Sequence, residues 1–221
     1  MDEKIKNPIL YRQLQDRFPD LFRQHAGLKL ITDEKEMEAF SGEKPLGVVF
    51  DNSPFYYVVS DLVENEKGVR FAYARVIGAN ADIGSGNIII PVMKQDGQKF
   101  FGLLKIYRHS FRGYSLEFPR GFQDTGLSAL ENARKELREE LGSRAERMQP
   151  LGFIRGDTGM AGGRIQVYLA EIRAYQITPG YEGIDGVIWV TGEELCSLLQ
   201  EDKISCALTA AAYAKYLVFQ K

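Results

Sequence analysis

The N-terminal part of the chain carries apolar residues at helical spacing. Residues 7–25 follow this pattern with Ile, Leu and Phe, which predicts an amphipathic helix. Pro19 lies inside the pattern, and because proline breaks a helix interior, it should divide this helix. A second short helix is predicted to begin at Asp33, with Glu36 as its capping partner. We therefore expect residues 1–45 to form an N-terminal helical extension.

The pattern changes to alternating apolar and polar residues between residues 46 and 77, which predicts strands. Residues 64–68 contain Asn and Gly and predict a hairpin turn within this stretch. The strands are rich in Tyr and Phe, a surface that either closes a core or joins two copies of the chain, and we expect a homodimer. A second hairpin is predicted from residues 88–93 and 100–107, joined at Asp96-Gly97.

Residues 117–143 combine a glycine-containing loop with a helix. Ser128 and Glu131 form the S-x-x-E pattern of a capping box, which predicts that a helix begins here. Gly142 is placed to end that helix. The apolar residues of the helix recur at its period and form one stripe: Ala129, Leu130, Ala133, Leu137 and Leu141.

Three carboxylates, Glu136, Glu139 and Glu140, lie beside this apolar stripe. At about 100° per residue, they fall within roughly 100° of arc on the helix surface. Carboxylates on one arc repel each other, and a hard divalent cation with oxygen ligands would neutralise them. The sequence therefore predicts a Mg²⁺ site and, with it, a phosphate-bearing substrate. The alternative is a solvated helix face whose acids pair with basic residues of the same helix.

The C-terminal third continues the alternation of strands and helices. Strands are predicted at residues 165–172 and 186–190. Thr191 and Glu194 then form a second capping box, which predicts another helix. A last helix is predicted over residues 204–219, so the chain is of the α/β class.

The segment from Gly121 onward resembles the Nudix box, which reads G, five residues, E, seven residues, R-E-U-x-E-E-x-G-U, where U is aliphatic. Its core corresponds to residues 135–142, KELREELG. The chain departs at three positions, where Leu127 replaces the early Glu, Lys135 replaces Arg, and Ser143 replaces the last aliphatic residue. In the family that Glu and Arg are generally paired. We therefore expect the ion pair to be lost here, with Leu127 packed on the sheet instead.

The resemblance implies the fold: a Nudix α/β/α sandwich with a mixed β-sheet and with the box helix on its edge. The W-V-x-x-E-E-L segment that begins at Trp189 also resembles the C-terminal part of the family. We expect two parts, the extension of residues 1–45 and a Nudix domain of residues 46–221. That domain would include an N-terminal strand pair at residues 46–80, and ADP-ribose pyrophosphatases of the family often use such a sheet for dimerisation.

The resemblance also assigns roles within the box. It implies that Glu136 and Glu140 are direct metal ligands, and that Glu139 is a ligand or the catalytic base. In the family a backbone carbonyl of the turn before the helix is a further ligand, and the matching residue is Arg120.

Candidate residues outside the box follow from similarity to ADP-ribose pyrophosphatases. Arg108 ends a strand before the box, and a planar, permanently charged guanidinium suits a phosphate oxygen. The alternative for Arg108 is a surface salt bridge. A later loop in related enzymes carries an acid that assists water attack, and Glu182 is the first candidate and Asp185 the second. The alternative for both is an acid on a surface loop.

Composition limits the partners and the location. The 221 residues carry a net charge of -2, which predicts no general affinity for nucleic acid or for an anionic membrane. The apolar runs are shorter than the ~20 residues of a membrane span, and the charged N-terminus, MDEKIKN, does not match a signal peptide. Cys196 and Cys206 form no zinc-binding pattern, and a disulfide framework is not expected, so we predict a cytoplasmic protein.

The resemblance to the Nudix family implies an enzyme. We expect a Mg²⁺-dependent hydrolase, with Mn²⁺ as the alternative cation, that cleaves the diphosphate linkage of a nucleoside diphosphate derivative. ADP-ribose-like compounds are the favoured substrates. The competing hypothesis is a Nudix-fold module that binds a nucleotide without cutting it, which the residues Leu127 and Lys135 favour.

Overall fold

The computed structural model of the chain describes residues 4–40, 42–81 and 84–220. The N-terminal residues 1–3, on which the expected lack of a signal peptide partly depends, lie outside these ranges. The chain divides into two compact units. The first unit comprises residues 1–82 and 157–163, and the second unit comprises residues 83–156 and 164–221.

The helices, in chain order, are α1 (Pro8–Arg17), α2 (Glu34–Ala39), α3 (Ala129–Leu141), α4 (Gly192–Gln200) and α5 (Ala207–Phe219). Short 3-10 turns occur at Pro19–Phe22 and Tyr181–Gly183. The strands of the first unit are β1 (Ile5–Lys6), β2 (Leu28–Ile31), β3 (Leu46–Asn52), β4 (Tyr56–Asn65) and β5 (Arg70–Gly78). The strands of the second unit are β6 (Gly86–Gln95), β7 (Gln98–Arg108), β8 (Gly113–Glu117), β9 (Arg120–Phe122), β10 (Arg147–Ile154), β11 (Ile165–Glu171) and β12 (Ile184–Val190).

The first unit is a sheet with the order β1-β3-β4-β2, and β5 pairs with β4. The predicted hairpin of residues 46–77 is confirmed, since β4 and β5 pair antiparallel from Tyr56 opposite Gly78 to Glu64 opposite Arg70. Helix α1 ends before Pro19, as expected for a residue that cannot continue a helix. The core joins both helices to the sheet through the buried side chains of Ile5, Tyr11, Leu14, Phe18, Ile31, Met37, Leu46, Val48, Val59, Leu62 and Ile77.

The segment of residues 157–163 belongs to the first unit, although the residues on both of its sides belong to the second. It lies against β5, where the Val76 amide donates a hydrogen bond to the Met160 carbonyl at 2.8 Å. The Asp157 carboxylate accepts hydrogen bonds from the amides of Gly159 and Met160, which closes the segment into a turn. The segment therefore covers part of the outer edge of β5.

The boundary between the units differs from the predicted boundary at residue 45. Strands β3 and β4 pair with strands from the N-terminal residues: β3 with β1, and β4 with β2 through Leu28–Ile31. A strand pair with one apolar face needs further partners for independent stability. Residues 46–80 therefore find their partners within the first unit, which also holds the predicted extension.

The second unit is the predicted α/β/α sandwich around a mixed sheet. The strand order is β10-β11-β6-β7-β12, in which β11 and β6 are parallel and the other neighbours antiparallel. Because side chains alternate across a strand, Ile88 and Ile90 face the layer of α4 and α5, whereas Ile89 faces α3. The turn at Asp96-Gly97 joins β6 to β7 as predicted, with positive φ at both residues.

Helix α3 packs across the face of this sheet, so its expected place at the sheet edge was wrong. Its buried residues Ala133, Leu137 and Leu141 share a core with Ile89 of β6 and Leu104 of β7. These strands lie inside the sheet. A 13-residue helix with a broad apolar stripe buries more surface over the middle strands than beside an edge strand.

Within the described ranges, no helix is both long and apolar enough to cross a membrane.

Candidate active site

The loop and helix of the predicted box form as their sequence indicates. The Glu131 amide donates to Ser128 Oγ at 3.3 Å, and the Ser128 amide donates to Glu131 Oε2 at 2.9 Å, which completes the capping box. Helix α3 ends at Gly142, which has φ of 59°. A side chain at Gly142 would overlap the Gln176 carbonyl, so both the backbone angle and the close approach require glycine.

The three candidate glutamates of α3 differ in burial. Glu136 is 8% exposed and Glu140 is 3% exposed, whereas the Glu139 side chain is 37% exposed. This difference follows from the helical period of about 100° per residue, since Glu136 and Glu140 lie within about 100° of the buried Leu137 on one side of the helix, whereas Glu139 lies about 160° from it. Two of the three carboxylates are therefore held in a protected setting, and the third faces solvent.

Strand β9 brings the backbone of the turn into contact with these carboxylates. It pairs with β6 at the positions Asn87 opposite Gly121 and Ile88 opposite Arg120. The Arg120 amide donates a hydrogen bond to Glu140 Oε2 at 2.8 Å. A Cβ at Gly121 would overlap the Glu136 carboxylate, so glycine is needed here for the close approach of that carboxylate. The structure thus places Arg120, Glu136 and Glu140 together.

The environment raises the pKa values of both buried carboxylates. Burial is the main cause for Glu136 and, together with the charges of Glu139, Asp124 and Glu182, raises its pKa to about 7. For Glu140, burial and then the charges of Glu136 and Glu182 raise the pKa to about 8, although the Arg120 amide opposes this change. Burial and like charge both disfavour the ionised forms.

The donor set fits a hard divalent cation. Glu136 and Glu140 offer buried carboxylate oxygens, and a cation would relieve the repulsion between them. Within the ranges that the structure describes, no three His, Cys, Asp or Glu side chains converge as a ready-made ligand cluster. A complete site would therefore need other oxygens, such as backbone carbonyls and water, which suits Mg²⁺.

The sequence did not identify Glu117, which organises the basic side chains beside the turn. Its carboxylate accepts two hydrogen bonds from Arg108, at 3.1 and 2.8 Å, and one from Arg120 Nε at 2.8 Å. Burial raises the pKa of Glu117, but the two guanidinium groups outweigh burial and the net pKa is lowered. The sequence did contain one indication of this contact: Glu117 and Arg120 are three residues apart, on the two sides of a proline turn.

Arg108 forms an ion pair, but not the surface salt bridge that was one of its two expected alternatives. It lies at the end of β7 and forms an ion pair, yet its partner is the buried Glu117 and not a surface acid. Burial lowers the pKa of Arg108, while hydrogen bonding to Glu117 and the charge of Glu140 raise it, with a net rise. Its guanidinium is thus held near Glu140.

The two candidate acids of the later loop have different surroundings. Glu182 lies in the 3-10 turn Tyr181–Gly183 with φ of 47°, an uncommon angle for a residue with a side chain. Its charge contributes to the raised pKa values of Glu136 and Glu140, so it faces the same region. Asp185 instead forms an exposed ion pair with Lys105 at 2.6 Å. The structure therefore favours Glu182 over Asp185 as a site residue.

Lys135 forms ion pairs although the carboxylate expected at position 127 is replaced by Leu127. Its ammonium group lies 3.1 Å from Asp124 and 2.9 Å from Glu139, with Glu136 at 3.7 Å. The carboxylate partner comes from three residues before Leu127, a position that the spacing of the box did not indicate. Leu127 itself is half-buried, and its carbonyl accepts a hydrogen bond from the Gln123 side chain at 2.8 Å.

Comparisons with known proteins agree with this geometry. The NUDIX domain family matches residues 86–208. A solved structure described as the crystal structure of an ADP compounds hydrolase matches with a TM-score of 0.61 and 22% sequence identity, and the match covers 80% of this chain and 96% of that chain. At this identity the likeness shows the fold alone. None of the curated proteins matches the sequence. Because the family match spans more than half of the chain, the protein belongs to the Nudix family.

Proposed function

We propose that this protein is a Mg²⁺-dependent pyrophosphohydrolase that cleaves the diphosphate linkage of nucleoside diphosphate derivatives. The observation that supports it best is the pair of buried carboxylates, Glu136 and Glu140, beside the glycine turn at Gly121. Buried acids with raised pKa values, in a domain that belongs to the Nudix family, support phosphate chemistry. ADP-ribose-like compounds are the favoured substrates, in keeping with the ADP compounds hydrolase of similar fold.

The metal would be held by side chains of α3 and the turn before it. Glu136 and Glu140 would be direct ligands, with the Arg120 carbonyl as a backbone ligand and Glu139 as a ligand from the exposed side. Mn²⁺ has similar ligand preferences and is the alternative cation. When bound, such a cation neutralises charge on the diphosphate and lowers the pKa of coordinated water.

Arg108 would bind a phosphate oxygen of the substrate. Glu117 engages two of its five N–H donors, which fixes the plane of the guanidinium and leaves the others for a ligand. The cluster of Arg108, Arg120 and Glu117 carries a net charge of about +1, from two guanidinium groups and one carboxylate. A dianionic diphosphate is therefore attracted to this cluster, which lies beside Glu140.

Glu182 would accept the proton of the attacking water. Its side chain is exposed and can be reached by water, whereas Glu136 and Glu140 are buried. The turn holds it through positive φ angles at Gly180, Glu182 and Gly183, and a side chain at Gly183 would approach the Tyr107 carbonyl to 2.9 Å. Glu139 is the alternative base, and it is held by Lys135.

A second candidate function is a module that binds a nucleotide without hydrolysing it. The contact between Lys135 and Glu139 favours this function, because the ammonium group already neutralises Glu139, one of the candidate metal ligands. Hydrolysis of the diphosphate linkage gives two phosphomonoesters, a nucleoside monophosphate and the phosphorylated second group. Release of these two products from a panel of nucleotide sugars and dinucleotides, measured by chromatography with and without Mg²⁺, distinguishes the two functions. The hydrolase should release product from at least one compound only with Mg²⁺. Binding of a panel member without turnover at any Mg²⁺ concentration would replace the hydrolase by the binding module.

Two further expectations belong to the proposal. The free thiols of Cys196 and Cys206 suit the reducing conditions of the cytoplasm. Phe50 and Phe55 of the first unit are about half exposed, at 51% and 52%, which supports a homodimer through this unit.

A further inference from the structure

Asp124 and Leu127 are the two ends of one β-turn. The Leu127 amide approaches the Asp124 carbonyl at 3.5 Å, and Gly126 takes the positive φ of 84° inside the turn. The first and last Cα atoms of a β-turn lie within about 7 Å of each other. A carboxylate can therefore reach the same neighbourhood from either end of this turn.

The backbone at Asp124 is tied to helix α3 independently of its side chain. The Asp124 amide donates to Asn132 Oδ1 at 3.0 Å, and Asn132 Nδ2 donates to the Phe122 carbonyl at 2.8 Å. Asn132 is fully buried. The amide group of Asn132 thus fixes the loop on the helix one turn before Lys135, and the Asp124 carboxylate is held within reach of that lysine.

Lys135 is shared between this loop and the glutamates. Its ammonium group lies between Asp124, at 3.1 Å, and Glu139, at 2.9 Å, while Glu136 is more distant at 3.7 Å. A lysine ammonium group is charged near neutral pH. Without the Asp124 charge, the ammonium group would be attracted only towards Glu136 and Glu139, the carboxylates on which cation binding depends.

We propose that Asp124 is a positioning residue for the metal site: by pairing with Lys135 across the turn, it holds the lysine away from Glu136 and orients Glu139. This inference rests on the proposed metal site. It assigns to Asp124 a role that neither the box spacing nor the family match indicates, since Asp124 lies outside the glutamate positions of the box.

The test is an isothermal titration of Mg²⁺ and of Mn²⁺ into the full-length, substrate-free protein, together with hydrolysis of the best substrate. Asp124→Asn keeps the volume and the backbone hydrogen bonds, and we expect it to lower cation affinity about tenfold, the usual effect of losing an outer-shell partner. The matched control is Glu146→Gln, which removes another ion pair of the second unit, with Arg173 at 2.6 Å. The control should bind the cation as the unchanged protein does.

A rescue experiment separates positioning from simple loss of negative charge. In the Asp124→Asn background, Leu127→Glu supplies a carboxylate from the other end of the turn and should restore most of the lost affinity. Leu130→Glu adds the same charge on the first turn of α3, on a side away from Lys135, and should restore little. Leu127→Glu alone should change affinity less than threefold, because Lys135 already has its partner.

Three results would overturn the inference: unchanged cation affinity in Asp124→Asn, equal rescue by Leu130→Glu and Leu127→Glu, or no rescue by either. Failure of the proposed function looks different, because the unchanged protein would then bind neither cation or would hydrolyse nothing. The unfolding temperature measured in EDTA tests the ion pair in the absence of a bound cation. Asp124→Asn and Lys135→Met should be non-additive in unfolding temperature, and additive effects would also contradict the pairing.

Discussion

Replacing Glu140 by glutamine should affect stability and function in opposite directions. Glu140 is 3% exposed, and burial together with the charges of Glu136 and Glu182 raises its pKa from 4.5 to about 8. The folded protein therefore binds a proton at this site more tightly than the unfolded chain does. Glutamine resembles the protonated carboxyl group in shape and can still accept the hydrogen bond of the Arg120 amide.

The magnitude follows from linkage between protonation and folding. Each pKa unit corresponds to about 1.36 kcal/mol. At pH 7 Glu140 is ionised in the unfolded chain and must take up a proton on folding, which makes the metal-free fold about 3 kcal/mol less stable than with a side chain that is always neutral. The stability conferred by the protonated form is complete below pH 4.5 and is lost as the pH rises to about 8. Glu140→Gln should therefore unfold roughly 6–12 °C higher than the unchanged protein at pH 7 in EDTA. The difference in unfolding temperature between the variant and the unchanged protein should disappear near pH 4.5.

Calorimetry or circular dichroism at several pH values, in EDTA and in Mg²⁺, would check this expectation. At Mg²⁺ a hundred times above Kd, the unchanged protein should gain about 2.7 kcal/mol, whereas the variant should gain little. Activity of the variant should fall to a few per cent or less. The control is Glu139→Gln, whose exposed carboxylate pairs with Lys135 and should give no stability gain. A variant that is less stable in EDTA, or a difference in unfolding temperature independent of pH, would refute the reasoning.

The remaining predictions concern the turn, the basic cluster and assembly. Gly121→Ala should lower Mg²⁺ affinity and kcat/KM at least tenfold, because its Cβ would overlap the Glu136 carboxylate. Gly186→Ala, where a Cβ would meet no other atom, is the control in the same assays. Equal behaviour of the two variants would contradict the close approach of Glu136 to Gly121. Glu117→Gln should destabilise the fold by about 3 kcal/mol in urea unfolding, because it breaks the buried ion pair with Arg108. The same change frees Arg108 from its position, so KM should rise more than kcat falls. An unchanged KM would argue against substrate binding by Arg108. Sedimentation should show a homodimer at micromolar concentration, and a species of 25.0 kDa, the mass of one chain, would exclude it.

Local sequence signals predicted the elements that depend on local contacts. Ser128 and Glu131 fix the start of α3 through hydrogen bonds four residues apart or fewer, and Gly142 fixes its end through its own backbone angle. The same holds for the turn at Asp96-Gly97. Such signals are readable because sequence neighbours are also neighbours in space.

The features that the sequence did not predict depend on contacts between distant segments. The role of Glu117 arises because Arg108 and Arg120 approach it from two strands. The partner of Lys135 was not predicted because the carboxylate belongs to Asp124, which lies at the other end of a β-turn from the expected position, Leu127. The place of α3 on the sheet face, and the division of the chain at residue 82, are likewise set by packing and strand pairing that no local pattern encodes.

The membership of residues 157–163 in the first unit has a consequence for the order of synthesis. A ribosome makes the strands of that unit early, yet Val76 receives its partner Met160 only after most of the second unit has been translated. Until then the outer edge of β5 is open at this position, and exposed edges are templates for wrong pairing. A fragment ending at residue 82 would remain permanently in that state, so an excised first unit should aggregate where the full chain does not.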